Sequence, residues 1–171
     1  RQGYYSDFGK VADVAKAFEQ AMVYDGIYSS YRHKTVGTEP FNDGPWHFVV
    51  CIQNHDQVGN RKNGERLSEL VSFEMQKLAA GLMLISPYIP LMFMGEEYGE
   101  TNPFQYFVSH GDSDLVEAVR AGRAEEFKSF RWKGEIPDPQ SVETFDRSIL
   151  DWSRKESGRH TSMLEYYRHQ I

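Results

Sequence analysis

The apolar positions of the chain follow helical and strand-like spacing in turn. From about Lys10 to Tyr24 they recur on one face at helical spacing, which predicts a first helix. The apolar, β-branched run 47–52 predicts a short strand buried on both faces. A second helical period from about Glu65 to Ser86 predicts the longest helix, and residues 90–94 predict a second buried strand.

The order helix, strand, helix, strand is typical of the α/β fold class, in which helices connect the strands of a parallel sheet. Two strands do not form a stable sheet alone, so we expect further strands from outside this chain. Residues 29–45 are rich in Gly, Pro, Asn and Thr and are predicted to form a loop, as is Pro137–Pro139.

The C-terminal third has weaker patterns. Ser113 is predicted to cap a short helix that Gly122 interrupts, and a second short helix is predicted to reach Phe130. Thr161 or Ser162 is predicted to cap a last helix that runs to the C-terminus.

A polar cluster follows each predicted strand, Gln53–Gln57 after the first and Gly95–Glu100 after the second. Both clusters are candidate sites because ligands bind beyond the carboxyl ends of strands in parallel α/β sheets. The Asp56 carboxylate could accept hydrogen bonds from sugar hydroxyls and offset positive charge in an oxocarbenium-like transition state, with His55 donating to the same hydroxyls. A helix-capping cluster is the structural alternative. A metal site is a third interpretation, although no further ligand at suitable spacing accompanies these two residues.

The second cluster contains two adjacent carboxylates, Glu96 and Glu97. They could contact a substrate, or they could pair with Arg61 or Arg66 and hold loops in place. Aromatic residues in predicted loops could stack on the apolar face of a sugar, and packing beneath the loops explains them equally well. These aromatic residues are Tyr4, Tyr5, Trp46, Phe104, Tyr106 and Phe107.

Composition narrows the class of protein. The 171 residues are 40% hydrophobic and 26% charged, as in a soluble globular protein, and the net charge of −6 without any Lys/Arg run makes nucleic acid an unsuitable partner. Cys51 is the single cysteine, so no intramolecular disulfide forms, which fits a reducing, cytoplasmic compartment. The longest apolar run, Ala79–Tyr88, is too short to cross a bilayer, so no membrane is expected. The start at Arg1, without Met, indicates the middle of a longer protein.

The segment Phe48–Asp56 resembles the fourth conserved region of the α-amylase superfamily, the family-13 glycoside hydrolases, which ends the seventh barrel strand in Asn-His-Asp. Within that superfamily, longer segments are similar to the malto-oligosyltrehalose trehalohydrolase family, although glucan branching enzymes share much of the eighth-strand motif. The segments that carry this similarity are Asn54–Arg61, Gly64–Leu67, Phe93–Glu100, Pro103–Phe107, Pro137–Gln140, Thr144-Phe145, Leu150–Trp152 and Arg1–Tyr5.

The resemblance implies that residues 1–171 are one fragment of a catalytic (β/α)8 TIM barrel, about strands seven and eight with flanking helices. It implies retaining hydrolysis of the α-1,4 bond next to the terminal trehalose unit of maltooligosyltrehalose, a reaction of trehalose biosynthesis, without a metal or an organic cofactor. Asp56 would be the third catalytic carboxylate, which stabilises the transition state. The substrate-binding residues would be His55, Gln57, Asn60, Arg61, Glu96, Glu97, Phe104, Gln105 and Tyr106.

The chain departs from the family pattern in one respect. No segment matches the strand-four region with its Asp nucleophile or the strand-five region with its Glu acid/base. Retaining hydrolysis needs two carboxylates about 5 Å apart, so we expect the isolated chain to be inactive. Exposed strand edges predict self-association of the fragment or dependence on the missing N-terminal part. The alternatives are a glucan branching enzyme or α-amylase-type hydrolase, a non-catalytic carbohydrate-binding fragment, and an α/β domain without sugar chemistry.

Overall fold

The computed structural model describes residues 5–40, 44–129 and 136–171, with only the backbone for 126–129. The resemblance at Arg1–Tyr4 and the helix end expected at Phe130 lie outside the described residues. In the described part of the chain, no helix is long and apolar enough to cross a membrane.

The chain divides into two compact units. The first unit comprises Arg1–Val50 and Ile85–Leu91, and the second unit comprises Cys51–Leu84 and Met92–Ile171. Each polar cluster of the sequence lies in the second unit, while the two strand segments that precede these clusters pair in the first.

The first unit begins with helix α1, Val11–Gln20, which is shorter than the predicted Lys10–Tyr24. The Asp13 carboxylate accepts hydrogen bonds from the backbone N–H groups of Gly9 and Lys10, at 2.7 and 2.8 Å, and so closes the N-terminus. Ala21 adopts a left-handed conformation (φ 65°) and ends the helix four residues early.

Part of the predicted loop 29–45 belongs to a β-hairpin, so the prediction was wrong for Ser29 and for Lys34–Gly37. Strand β1, Asp25–Ser29, pairs antiparallel with strand β2, Lys34–Gly37. The Asp7 carboxylate accepts from the hydroxyl groups of Tyr24 and Ser29, at 2.8 and 2.5 Å, and ties the hairpin to the start of the unit. Tyr28, Thr35 and Val36 favour strands, but the nearby glycines Gly26 and Gly37 are typical of loops and obscured this pattern.

Two short strands form the parallel pair that the sequence predicted. Strand β3, Val49–Val50, pairs with strand β4, Ile89–Pro90, and Leu91 donates its backbone N–H to Val50 at 2.8 Å. Both strands are shorter than predicted and exposed, since Val49 is 60% and Ile89 47% accessible. In the described part of the chain this sheet has two strands, so neither strand is covered as a central barrel strand would be.

The long helix predicted from about Glu65 to Ser86 is two helices in the structure, Leu67–Leu70 and Phe73–Ile85. Helix α2, His55–Gly59, precedes these two helices, which are α3 and α4 respectively. Val71 is extended (φ −134°), and the Ser72 hydroxyl accepts the backbone N–H of Met75 at 3.3 Å. Ser72 therefore caps a new helix inside a continuous apolar pattern.

Three further helices complete the second unit: α5, Ser113–Ser129, α6, Val142–Arg147, and α7, Gly158–Gln170. The expected break at Gly122 does not occur. Asp112, rather than Ser113, caps α5 by accepting the backbone N–H groups of Asp114 and Leu115 at 2.8 and 3.0 Å. Helix α7 starts after Ser157, earlier than the predicted caps at Thr161 or Ser162.

In the core of the second unit, helix α7 packs against the 3₁₀ turn Glu96–Tyr98. Tyr98 and Met163 are almost fully buried, and the His160 ring nitrogen Nδ1 lies 2.9 Å from the Tyr98 carbonyl oxygen. Glu100 is buried beside them and accepts from the Tyr98 hydroxyl at 2.9 Å and from the Asp151 N–H at 2.7 Å. The polar cluster after the second strand, Gly95–Glu100, therefore forms part of the core of this unit.

Candidate active site

Helix α2 presents the two residues that the sequence places first among the candidates. The side chain of Asn54 accepts the Gln57 backbone N–H at 2.8 Å and caps the helix, so the capping interpretation holds for Asn54. Asp56 lies in the first turn with 74% of its side chain exposed, and its Oδ1 is 3.3 Å from His55 Nε2. The cap therefore leaves the Asp56 carboxylate free to meet a ligand from solvent.

The turn after α2 packs against the segment that contains the candidate aromatic residues. Gly64 has φ 69°, and a Cβ atom there would lie 2.4 Å from the Phe104 carbonyl oxygen. Phe104 donates its N–H to the Gly64 carbonyl at 2.8 Å. This backbone contact brings residues 59–64 and 104–106, which are far apart in sequence, to one place in the unit.

The three candidate residues 104–106 have different environments. Phe104 packs edge-on against Phe93 and Phe107, with ring centroids 5.3 and 5.8 Å apart, so its ring contributes to packing. Gln105 is buried; its N–H donates to the Ser148 hydroxyl at 3.0 Å, while its Oε1 has no hydrogen-bond partner among the described residues. Tyr106 is 38% exposed.

The remaining candidates beside α2 have partners of their own. Gln57 is exposed, and Arg61 pairs with Glu65 in the turn between α2 and α3, Nε to Oε2 3.7 Å, rather than with Glu96 or Glu97. Asn60 accepts a hydrogen bond from Arg123 at 3.0 Å. Gln57 lies within α2, and Asn60 and Arg61 directly follow its last residue, so all three lie near Asp56 along the chain.

Glu96 lies in the interior and not at a surface. It is 5% exposed, and its carboxylate accepts from Gln53 Nε2 at 3.3 Å and from the Tyr167 hydroxyl at 3.2 Å. Burial raises the pKa of Glu96 to about 7. The same burial, with Glu96 as neighbour, raises the pKa of Tyr167. This placement corrects the expectation that Glu96 lies at the mouth of a substrate site, whereas Glu97 on the same turn is half-buried.

Arg66 is buried and binds backbone carbonyl groups instead of the two glutamates. Its Nε donates to Asn102 and its Nη1 to Met94, both at 2.7 Å, and its guanidinium lies 5.0 Å above the Phe93 ring. Burial lowers the pKa of Arg66, which the negative charge of Glu100 opposes. Arg66 thus clamps both ends of the loop that contains Glu96 and Glu97.

A metal centre finds no support in the described residues, where no group of three or more His, Cys, Asp or Glu side chains is arranged to hold an ion.

Arg123 is the residue at this place that sequence reasoning missed. Its guanidinium donates to Asn60 Oδ1 at 3.0 Å and to the Gly59 carbonyl at 3.1 Å, and lies 4.5 Å from the centroid of the Tyr106 ring. No sequence signal marked it, because its partners are 17 to 64 residues away and Gly122 suggested a helix break.

No protein-family model matches the chain. Curated relatives do match it, and those compared are named malto-oligosyltrehalose trehalohydrolase. The protein from Saccharolobus solfataricus is 48% identical over 171 residues, covering 100% of this chain and 28% of the relative. The Brevibacterium helvolum protein is 46% identical over 97% of this chain and 29% of the relative, and a Mycobacterium tuberculosis protein is 39% identical over 100% and 30%.

A solved structure is similar to this chain in fold and sequence. It is a crystal structure described as "Putative alpha Amylase from Salmonella typhimurium", with a TM-score of 0.90 and 41% sequence identity over 99% of this chain. This chain covers 29% of that structure. The two proteins are therefore similar in sequence as well as in fold.

The chain is therefore similar, over its whole length, to part of a malto-oligosyltrehalose trehalohydrolase and to part of a structure described as an α-amylase, as the conserved segments predicted. The relatives named malto-oligosyltrehalose trehalohydrolase are similar to the chain at 46 to 48% identity for the first three compared. The chain spans about 28 to 30% of the length of these relatives. The assignment to barrel strands seven and eight stays a prediction.

Proposed function

We propose that the whole protein releases trehalose from maltooligosyltrehalose by hydrolysing the adjacent α-1,4-glucosidic bond with retention of configuration. The curated relatives that match nearly the whole chain are named for this activity. The observation that carries the proposal is the position of Asp56, whose exposed carboxylate projects from the first turn of α2 beside His55.

In this proposal, Asp56 stabilises the transition state and does not attack. A fixed negative charge beside the cleaved bond favours the oxocarbenium-like state over the neutral ground state. His55 donates to hydroxyls of the same sugar, and the ring of Tyr106, a residue that is 38% exposed, stacks on a neighbouring sugar. Gln57, Asn60 and Arg61 support α2, whereas Phe104 and Gln105 hold Tyr106 in place from the interior.

The nucleophile and the general acid come from the remainder of the protein, so the isolated chain does not turn over substrate. Asp56 is one carboxylate, and retention needs a nucleophile and an acid/base about 5 Å apart. The lone free thiol Cys51 supports a reducing compartment, and we place this enzyme of trehalose biosynthesis in the cytoplasm.

The test is Asp56→Asn in the full-length protein, with trehalose release from maltooligosyltrehalose as the readout. Loss of one preorganised electrostatic group predicts a fall in kcat of about 10²- to 10³-fold. Glu143→Gln serves as the control, because Glu143 is an exposed carboxylate that pairs with Arg147 on α6. Full turnover by Asp56→Asn would refute the role of Asp56.

A second candidate function is α-amylase-type hydrolysis, which the description of the Salmonella structure favours. Product analysis of the full-length protein separates the two functions. Free trehalose supports the first, shortened glucan without trehalose supports the second, and a branched glucan would indicate a branching enzyme.

A further inference from the structure

Arg123 joins three parts of the second unit at one guanidinium group. It lies on α5, donates to Gly59 and Asn60 at the C-terminal end of α2, and covers the Tyr106 ring. The planar, five-donor guanidinium can make two directed hydrogen bonds while it stacks on an aromatic ring, which an ammonium cannot do.

The contact reaches Asp56 through two hydrogen bonds. Asn60 donates its backbone N–H to the Asp56 carbonyl at 3.1 Å, and the Asn60 side chain accepts from Arg123 at 3.0 Å. Because α2 has only five residues, fixing its last carbonyl group also fixes the backbone of its second residue, Asp56. At the other end, the Asn54 cap holds the helix.

We propose that Arg123 is a positioning residue that sets the Asp56 carboxylate relative to the Tyr106 ring. The inference rests on the proposed function, in which Asp56 stabilises the transition state and Tyr106 stacks on sugar. Misplacing a charge by about 1 Å costs up to 10²-fold in rate, so a side chain that never touches substrate can control turnover.

Arg123→Lys is the informative variant because it keeps the positive charge and loses the two-pronged geometry. In the full-length protein we expect kcat for maltooligosyltrehalose to fall about tenfold with KM nearly unchanged. Asn60→Ala removes the same contact from the other side and is expected to give a similar loss. Arg120→Lys is the matched control, since Arg120 lies one turn earlier on α5 and binds Asp138.

A double-mutant cycle with Asp56→Asn separates positioning from general stability. If Arg123 acts through the Asp56 carboxylate, Arg123→Lys costs less than about twofold in kcat once that carboxylate is gone. An equal loss in both backgrounds, a loss matched by a lower melting temperature, or unchanged kcat in Arg123→Lys and Asn60→Ala would overturn the inference. Wild-type kcat in Asp56→Asn alone would instead refute the proposed function, and with it the basis of the inference.

Discussion

At the residue scale, the contrast between Glu96 and Asp56 shows how burial decides what a carboxylate can do. The Asp56 side chain is exposed to solvent, whereas Glu96 is enclosed by Gln53 and Tyr167. The pKa of Glu96 is raised from 4.5 to about 7 by burial, so its charged form is disfavoured in the folded state. Glu96 therefore has a structural role in the core, and its raised pKa makes the stability of the folded state depend on pH.

The sign of that dependence follows from proton counting. Between about pH 4.5 and 7 the folded chain retains a proton on Glu96 that the unfolded chain has lost, so stability falls as the pH rises through this window. The loss is on the order of 3 kcal/mol when complete. Glu96→Gln cannot lose a proton, so this variant should be more stable than wild type at pH 8 and show no such gain at pH 4.

Urea denaturation at pH 4, 6 and 8 measures the effect on this chain. Glu97→Gln is the matched control, because it removes a neighbouring carboxylate from the same 3₁₀ turn at a half-buried position. A constant difference between Glu96→Gln and wild type at all three pH values would contradict a proton held in the core.

At the element scale, short connections determine which side chains meet. The turn that ends at Gly64 contacts the Phe104 backbone, which leaves no space for a Cβ atom, and the positive φ of Gly64 disfavours other residues. Gly64→Ala should therefore destabilise the chain by about 1 to 3 kcal/mol. Gly122→Ala is the control, since Gly122 lies inside α5 with open space around it and should be neutral or stabilising by up to about 1 kcal/mol.

Circular dichroism during urea unfolding distinguishes these two glycine variants. If Gly64→Ala and Gly122→Ala unfold at the same urea concentration, the contact between Gly64 and Phe104 does not constrain the unit.

Elements with strong local signals were predictable from the sequence, and those set by distant contacts were not. Helix α1 and the parallel pair of β3 and β4 follow from apolar spacing. The division between α3 and α4 escaped the pattern because Ser72 caps a helix without interrupting the apolar period. Asp56 could be found from its motif, whereas Arg123 depends on tertiary contacts that join residues up to 64 positions apart.

At the scale of the whole molecule, the chain covers 28% of the Saccharolobus solfataricus relative and presents apolar strand residues to solvent. Strand β3 exposes Val49 and strand β4 exposes Ile89, and β3–β4 has two strands within the described residues. Open sheet edges with apolar side chains pair with further strands when these are supplied. We therefore expect the 171-residue chain to self-associate as its concentration rises.

Light scattering after size exclusion, across a tenfold range of concentration, measures this association. Val49→Thr with Ile89→Thr keeps β-branched residues in the strands and removes apolar surface, so this variant should shift the chain towards the monomer. Val142→Thr is the control, because Val142 is equally apolar and exposed but lies on α6. A monomer at every concentration would contradict an open sheet edge. Equal association of both variants would instead indicate that the contact between copies lies outside β3 and β4.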